Sequence, residues 1–169
     1  MTDFQQIYQR YAPDVYRFAL YLSGNPALAE DITSETFVRL WTSDETIRMQ
    51  TVKAYLFAIA RHLYIDDRRA AKRRAEIGSE LMETGSSPET VATSRSELQW
   101  VLKLLQDLPE TDRAALLMRA QQELPYEEIA RALGLSVVAA KVKVHRARMK
   151  LAAAKAGMSA AAESEGGVR

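Results

Sequence analysis

Residues 125–151 read PYEEIARALGLSVVAAKVKVHRARMKL. The spacing predicts two helices with a tight turn between them. The first runs from about Tyr126 to Leu133, with Ile129, Ala130 and Leu133 on one face. Gly134 follows, where a helix end calls for a left-handed residue. Leu135 tucks back toward a core, and Ser136 caps a new helix by accepting a backbone N–H bond. In that second helix Ala140, Val144, Ala147 and Leu151 recur at steps of four, three and four, a narrow apolar seam. Val138, Lys141, Val142 and His145 point away from the seam, and Lys143, Arg146, Arg148 and Lys150 add charge along its flanks. From Ser136 to Lys155 there are six Lys or Arg and no Asp or Glu. Two short helices, a Gly-containing turn and an acid-free second helix predict a helix-turn-helix. The seam would hold the helix to its domain while the outer face enters a major groove and the cations neutralise phosphate. A helical hairpin with a solvated basic face has the same pattern, so the motif needs support from the rest of the chain.

Working outward, the 169-residue chain has room for one domain or two small ones, and its net charge of +1 names no partner. Charge distribution says more. Residues 61–74 hold six Lys or Arg against Asp66 and Asp67, whereas 76–97 hold five Glu and one Arg. Two basic regions separated by an acidic stretch suggest two nucleic-acid-facing modules and a connector. With no cysteine, disulfide and thiol chemistry are excluded. The start, MTDFQQIYQRY, has an early Asp and no apolar run, so no signal peptide is expected. No window approaches the roughly 18 apolar residues of a membrane span. The expected compartment is the cytoplasm.

Upstream of residue 125 every periodic segment is helical. Phe4, Ile7, Tyr8 and Tyr11 recur at helical steps, and Pro13 is expected to open a fresh helix carrying Val15, Phe18, Ala19 and Leu22. These aromatics have the spacing of a buried stripe. Ser23-Gly24-Asn25 predicts a turn. In PALAEDITSETFVRLW (26–41), Leu28, Ile32, Phe37, Leu40 and Trp41 form the buried side, and Asp31, Ser34, Glu35 and Val38 a separate exposed stripe. That stripe is either a solvated acidic face or a docking face for a basic partner; pattern alone leaves both open. Residues 42–51 predict a loop, with Thr51 a possible cap. From Val52 to about Arg74, Val52, Tyr55, Leu56, Ile59, Ala60 and Leu63 face inward, and Phe57, Arg61, Tyr64 and Arg68 form an outer stripe alternating aromatic and cation, extended by Arg69, Lys72, Arg73 and Arg74. Unpaired bases stack on such rings and phosphates meet such cations, each stacked base contributing ~1–3 kcal/mol. A basic helix with two aromatics packed on a neighbour is the plainer alternative.

Residues 75–94 are rich in Gly, Ser, Thr and Glu and predict a linker. Ser94 with Glu97 makes a capping box before the stripe Leu98, Val101, Leu102, Leu105 and Leu108, which Pro109 ends. Thr111 is expected to cap a helix apolar nearly all round, hence central to a second core. Residues 156–169, Ala-, Gly-, Ser- and Glu-rich without a stripe, are expected to be disordered. No strand pattern competes. His62 and His145 lack partners at metal spacing, and no Gly-rich phosphate loop exists, so no metal, cofactor or catalytic residue is expected.

Taken together, these stretches resemble the small two-domain sigma factors of bacterial RNA polymerase, the extracytoplasmic-function (ECF) group of the sigma-70 family. AEDITSETFVRLW resembles region 2.2, KAYLFAIARHLYIDDRRAAKRR regions 2.3 to 2.4, and LPETDRAALLMRAQQELPYEEIARALGLSVVAAKVKVHRARMKL region 4. The order and the connector also match, over roughly residues 4–153. The resemblance implies an all-α fold: two small helical domains joined by a flexible linker, the second containing the helix-turn-helix. Residues 1–75 are expected as the first domain, 76–94 as linker, 95–153 as the second domain and 154–169 as a disordered tail. It implies a non-enzymatic subunit that directs core polymerase, through its β and β′ subunits, to promoter DNA and helps open the −10 element. Asp31, Ser34 and Glu35 match the helix that docks on β′, Ser34 standing where the family favours Gln. Residues 43–50 match the segment that captures a flipped −10 base. Phe57, Arg61, His62, Tyr64, Asp66, Arg68 and Arg69 lie in the −10 helix, His62 standing where Asn is favoured. Ser136, Val138, Ala139, Lys141, Val142, His145 and Arg146 lie in the −35 reading helix. Ala139 and Val142 replace polar residues there, which shifts weight from base-edge bonds to phosphate contacts and DNA shape. Pro125 replaces a frequent capping Ser. An anti-sigma protein covering the same faces is also implied.

Two rivals stand beside this reading. A stand-alone helix-turn-helix regulator explains residues 111–151 equally well but leaves the acidic stripe and the aromatic–basic stripe without a role. A nuclease using Glu30, Asp31 and His62 lacks any convergent site.

Overall fold

The computed structural model describes residues 4–43, 52–78 and 93–165; of the segment expected to capture a flipped base (43–50), all but residue 43 lies outside the described residues. Of helical residues 93–95 and 162–165 only the backbone is described. Every regular element among the described residues is helical, as expected: α1 (Phe4–Ser23), α2 (Pro26–Thr42), α3 (Val52–Glu76), α4 (Thr93–Gln106), α5 (Glu110–Leu116), α6 (Tyr126–Leu133) and α7 (Val137–Glu165). Positions 79–92 of the expected linker, Thr51 and residues 166–169 lie outside the described residues.

Helix α1 is continuous through Pro13, where the sequence predicted a new start. An interior proline costs about 3 kcal/mol. Tyr11, Val15, Phe18, Ala19 and Leu22 are all buried along one stripe of this helix. Burying a Val, Leu or Phe contributes about 1.5–3 kcal/mol each, so the stripe outweighs the proline. Asn25 caps α2, its Oδ1 accepting from the Leu28 N–H at 3.2 Å, with Pro26 at the first helical position. Thr33 and Thr36, both buried, satisfy their hydroxyls on the carbonyls of Ala29 and Ile32. Helices α1, α2 and α3 pack on one another, with Phe18 and Phe57 rings 4.9 Å apart at the centre.

In the second group α5 is central, as its composition predicted: Ala114, Ala115 and Leu116 are buried, followed by Leu117 and Met118. Thr111 does not cap it; the helix starts at Glu110, and no side chain caps its first turn. One widened turn, Leu117–Gln121, carries the chain on before α6. Helix α6 ends on Gly134 at φ 66°, with the Leu135 N–H bonded to the Ala130 carbonyl at 2.9 Å. Only a residue without Cβ takes that left-handed position cheaply. Ser136 Oγ then accepts from the Ala139 N–H at 3.0 Å, opening α7. The stretch from 154 expected as a disordered tail is instead helical to Glu165. Its runs of alanine have the highest helix propensity of any residue and extend a helix already nucleated by packing.

The buried apolar residues of both groups form one contiguous core. Helix α1 meets α4 and α5, and α3 meets α6. The second group thus lies against the first, and that junction determines which predicted site residues are exposed.

Candidate nucleic-acid interface

On α7 the pattern read from sequence is realised. Ala140, Val144 and Ala147 are fully buried against the domain. Val138 is 71% exposed and Val142 49% exposed, and Ser136, Lys141, His145 and Arg146 are exposed beside them. Ala139 is half-buried. These seven candidate residues therefore lie along the outer side and start of one helix. Their environment is not purely solvent. The Lys141 ammonium lies 5.6 Å from the Tyr126 ring centroid, and the Arg119 guanidinium 4.5 Å from the same ring. Such contacts orient a cation without neutralising it.

One acid reaches this helix from α5. Asp112 is 1% exposed, with Oδ1 3.4 Å from Lys143 Nζ and Oδ2 3.8 Å from Arg146 Nε. A carboxylate buried this deeply needs positive partners, and these two supply them. Lys143 is therefore tied back toward the domain, and Arg146, half-exposed, is only loosely held.

The α3 stripe departs from its prediction. Phe57 is fully buried on Phe18, and Tyr64 is 5% exposed. The buried side of α3 is Val52, Ala54, Leu56, Phe57, Ala60 and Tyr64, whereas Tyr55, Ile59 and Leu63 are only half-buried. The predicted inner and outer faces overlap because α3 is packed from two sides, by α1 and α2 and by the second group. Arg61 is turned onto α5: its Nε and Nη2 donate to the two carboxylate oxygens of Glu110 at 2.8 and 2.9 Å. His62, Asp66, Arg68 and Arg69 are exposed, and so are Lys72, Arg73 and Arg74. Of the seven candidates on this helix, His62, Asp66, Arg68 and Arg69 thus face solvent, Arg61 and Tyr64 face α5, and Phe57 is core.

Arg113 completes the junction. Its Nη1 donates to the Leu105 and Leu108 carbonyls at the end of α4, and its Nη2 to Tyr64 Oη at 3.0 Å. Burial pushes this guanidinium below its usual pKa, with nearby Tyr64 and Glu110 pulling it back up. Glu110, Asp112 and Arg113 were not singled out from sequence. A signal was present: charges set in a helix otherwise apolar all round must find partners when that helix is buried.

On α2, Asp31, Ser34 and Glu35 are exposed along one stripe with Val38, which is 53% exposed. Trp41, expected inside, is 68% exposed. It stands edge-on to Phe4 at 4.7 Å, and Tyr8, 46% exposed, stands edge-on to Phe37 at 4.9 Å. The start of α1 and the end of α2 thereby build an aromatic shelf beside the acidic stripe. Part of the aromatic stripe predicted as core is surface. Among the described residues no group of His, Cys, Asp or Glu is placed to hold a metal ion, and no helix is long and apolar enough to cross a membrane.

Residues 7–74 match the model of sigma-70 region 2, and residues 98–151 that of sigma-70 region 4. The chain belongs to the sigma-70 family, and within it to the ECF RNA polymerase sigma factors. It is 34% identical over 152 residues to the ECF RNA polymerase sigma factor SigM of Bacillus subtilis, spanning 88% of this chain and 92% of that protein. Its fold is similar to the sigma factor RpoE in complex with the anti-sigma factor NepR from Bartonella quintana, with TM-score 0.71, 29% identity and coverage of 89% and 95% of the two chains. It is also similar to CnrH in complex with the cytosolic domain of CnrY, with TM-score 0.71 and 25% identity over 91% of this chain and 88% of that one. The protein is therefore a non-catalytic initiation factor of transcription.

Proposed function

We propose that the two helical groups divide promoter recognition between them, the division falling in the connector between α3 and α4. Helix α7 enters the major groove of the −35 element with Ser136, Val138, Ala139, Lys141, Val142, His145 and Arg146 toward DNA. The observation that carries this is the split in α7: a fully buried seam and, on the opposite side, an exposed acid-free face. Two exposed valines there read thymine methyls or groove shape, and Lys141 and Arg146 meet phosphate.

Helix α3 handles the −10 element. Its exposed His62, Arg68 and Arg69, joined by Arg61 and Tyr64 when these are released, hold the separated strand. Melting then needs no bond-making, only groups that bind unpaired bases better than duplex. Asp31, Ser34 and Glu35 dock on the β′ subunit of core polymerase, with the aromatic shelf as the apolar part of that contact. An anti-sigma protein, of the kind found on RpoE and CnrH, covers these faces in the cytoplasm until transcription is called for.

Run-off transcription with purified core polymerase tests the whole reading. The chain is expected to support initiation at its own promoters without another sigma factor; failure to do so, with no co-elution with core, refutes it. Arg61→Ala with Arg68→Ala should impair strand opening more than duplex binding, and equal permanganate reactivity at the start site in variant and wild type would remove α3 from the −10 role.

A further inference from the structure

The face of α3 assigned to the −10 strand does not meet solvent along its whole length. Arg61 is 12% exposed and Glu110 25% exposed at the side chain, joined by two parallel bonds. One helical turn further, Tyr64 is closed by Arg113. The same junction is fastened at two places away from the stripe. Gln106 Nε2 donates to the Tyr21 and Leu22 carbonyls in the last turn of α1, both at 3.3 Å. Lys53 Nζ donates to the Gln122 carbonyl at 2.9 Å. Gly24, at φ 68°, lets Gln106 approach: a Cβ there would stand 3.2 Å from its amide.

A carboxylate held by both edge nitrogens of a guanidinium occupies the donor fork that a phosphate would take. We propose that Glu110 is an internal stand-in for a DNA phosphate, and that α5 latches the −10 face of α3 shut in the free protein. Single-stranded DNA and α5 then compete for Arg61 and Tyr64. The reading helix α7 is left exposed in this closed form, so the latch masks strand capture and not the −35 face. The apparent affinity for single strands is lowered by the fraction of molecules that are closed. This inference rests on the −10 assignment of α3.

The chain has no cysteine, so two dyes placed through Ala27→Cys and Met149→Cys, both exposed, report the separation of the groups in the full-length protein. Affinity is read by fluorescence polarisation with a labelled random-sequence single strand of about 12 nucleotides. Glu110→Gln removes the charge and keeps the shape; it should lengthen the dye separation and tighten single-strand binding by about fivefold or more. Gln106→Ala loosens the junction without touching charge or α3, and should shift both readouts the same way by less. Unchanged separation and affinity in both variants overturns the latch. A gain confined to Glu110→Gln, with no change in separation, is mere loss of a repelling charge and also overturns it. Adding Arg61→Ala to Glu110→Gln should abolish the gain. If it does not, while the separation still lengthens, the junction closes as described but Arg61 binds no strand, and both its −10 assignment and the phosphate stand-in fall.

Discussion

Helices α3 and α7 carry similar chemistry and end in opposite situations. Both place Lys and Arg along one side and a cluster of apolar residues along the other. On α7 the apolar seam is narrow, one neighbour layer satisfies it, and the cations other than the half-buried Lys143 remain outside. On α3 the aromatics interleaved with the cations are large enough to draw a second layer over them, and an acid arrives with it. The difference teaches that a basic stripe is open or closed according to what packs opposite, not according to its own composition. Acids on one short helix, α5, act on both: Glu110 takes Arg61 fully, and Asp112 restrains Lys143 and Arg146 in part.

The comparison breaks most visibly at Arg113. Arg113→Ala strips donors from two carbonyls and from Tyr64, and should cost about 3 kcal/mol in urea unfolding. A loss under about 0.5 kcal/mol, the range of an ordinary surface change, would mean the α3–α5 junction does not hold in solution.

Asp112→Asn should cost less, about 1 kcal/mol, while freeing two cations on α7. Binding to duplex promoter fragments recovered with the polymerase should then show a log–log salt slope steeper by about one. An unchanged slope would mean Lys143 reaches no phosphate even when released. Lys141→Ala should move the slope the other way, shallower by about one, with stability held within about 0.5 kcal/mol. An unaltered footprint and slope would take Lys141 off the contact surface. Trp41→Ala should likewise leave stability within about 0.5 kcal/mol, because the ring is mostly exposed. It should nevertheless weaken capture of core polymerase in a pull-down, and full retention would leave the aromatic shelf without its docking role.

Much of this architecture was legible beforehand, and the reasons are local. The Gly134 turn, the Ser136 cap and the α7 seam each depend on residues within a few positions of one another. The exposed stripe Asp31, Ser34, Glu35 and Val38 is likewise a matter of helical period. Where the reading failed, distant residues intervened. Pro13 was overruled by the core stripe of its own helix packing on α2 and α3. Phe57 was assigned outward by period and turned inward by Phe18. The period places Trp41 inward, and the structure leaves it outside, edge-on to Phe4, which in turn meets the buried Phe37.

By itself the sequence determined that the periodic segments are helical and that residues 125–151 form a helix-turn-helix with an exposed acid-free face. These follow from periodicity, capping and composition, which are properties of neighbouring residues. The resemblance of its ordered motifs to an ECF sigma factor implied the rest. Only the tertiary structure decided which cations stand free. Glu110 reaches Arg61 across 49 positions and Asp112 reaches Lys143 across 31. Pairings over such separations are set by how helices pack, and no periodicity within one helix contains them.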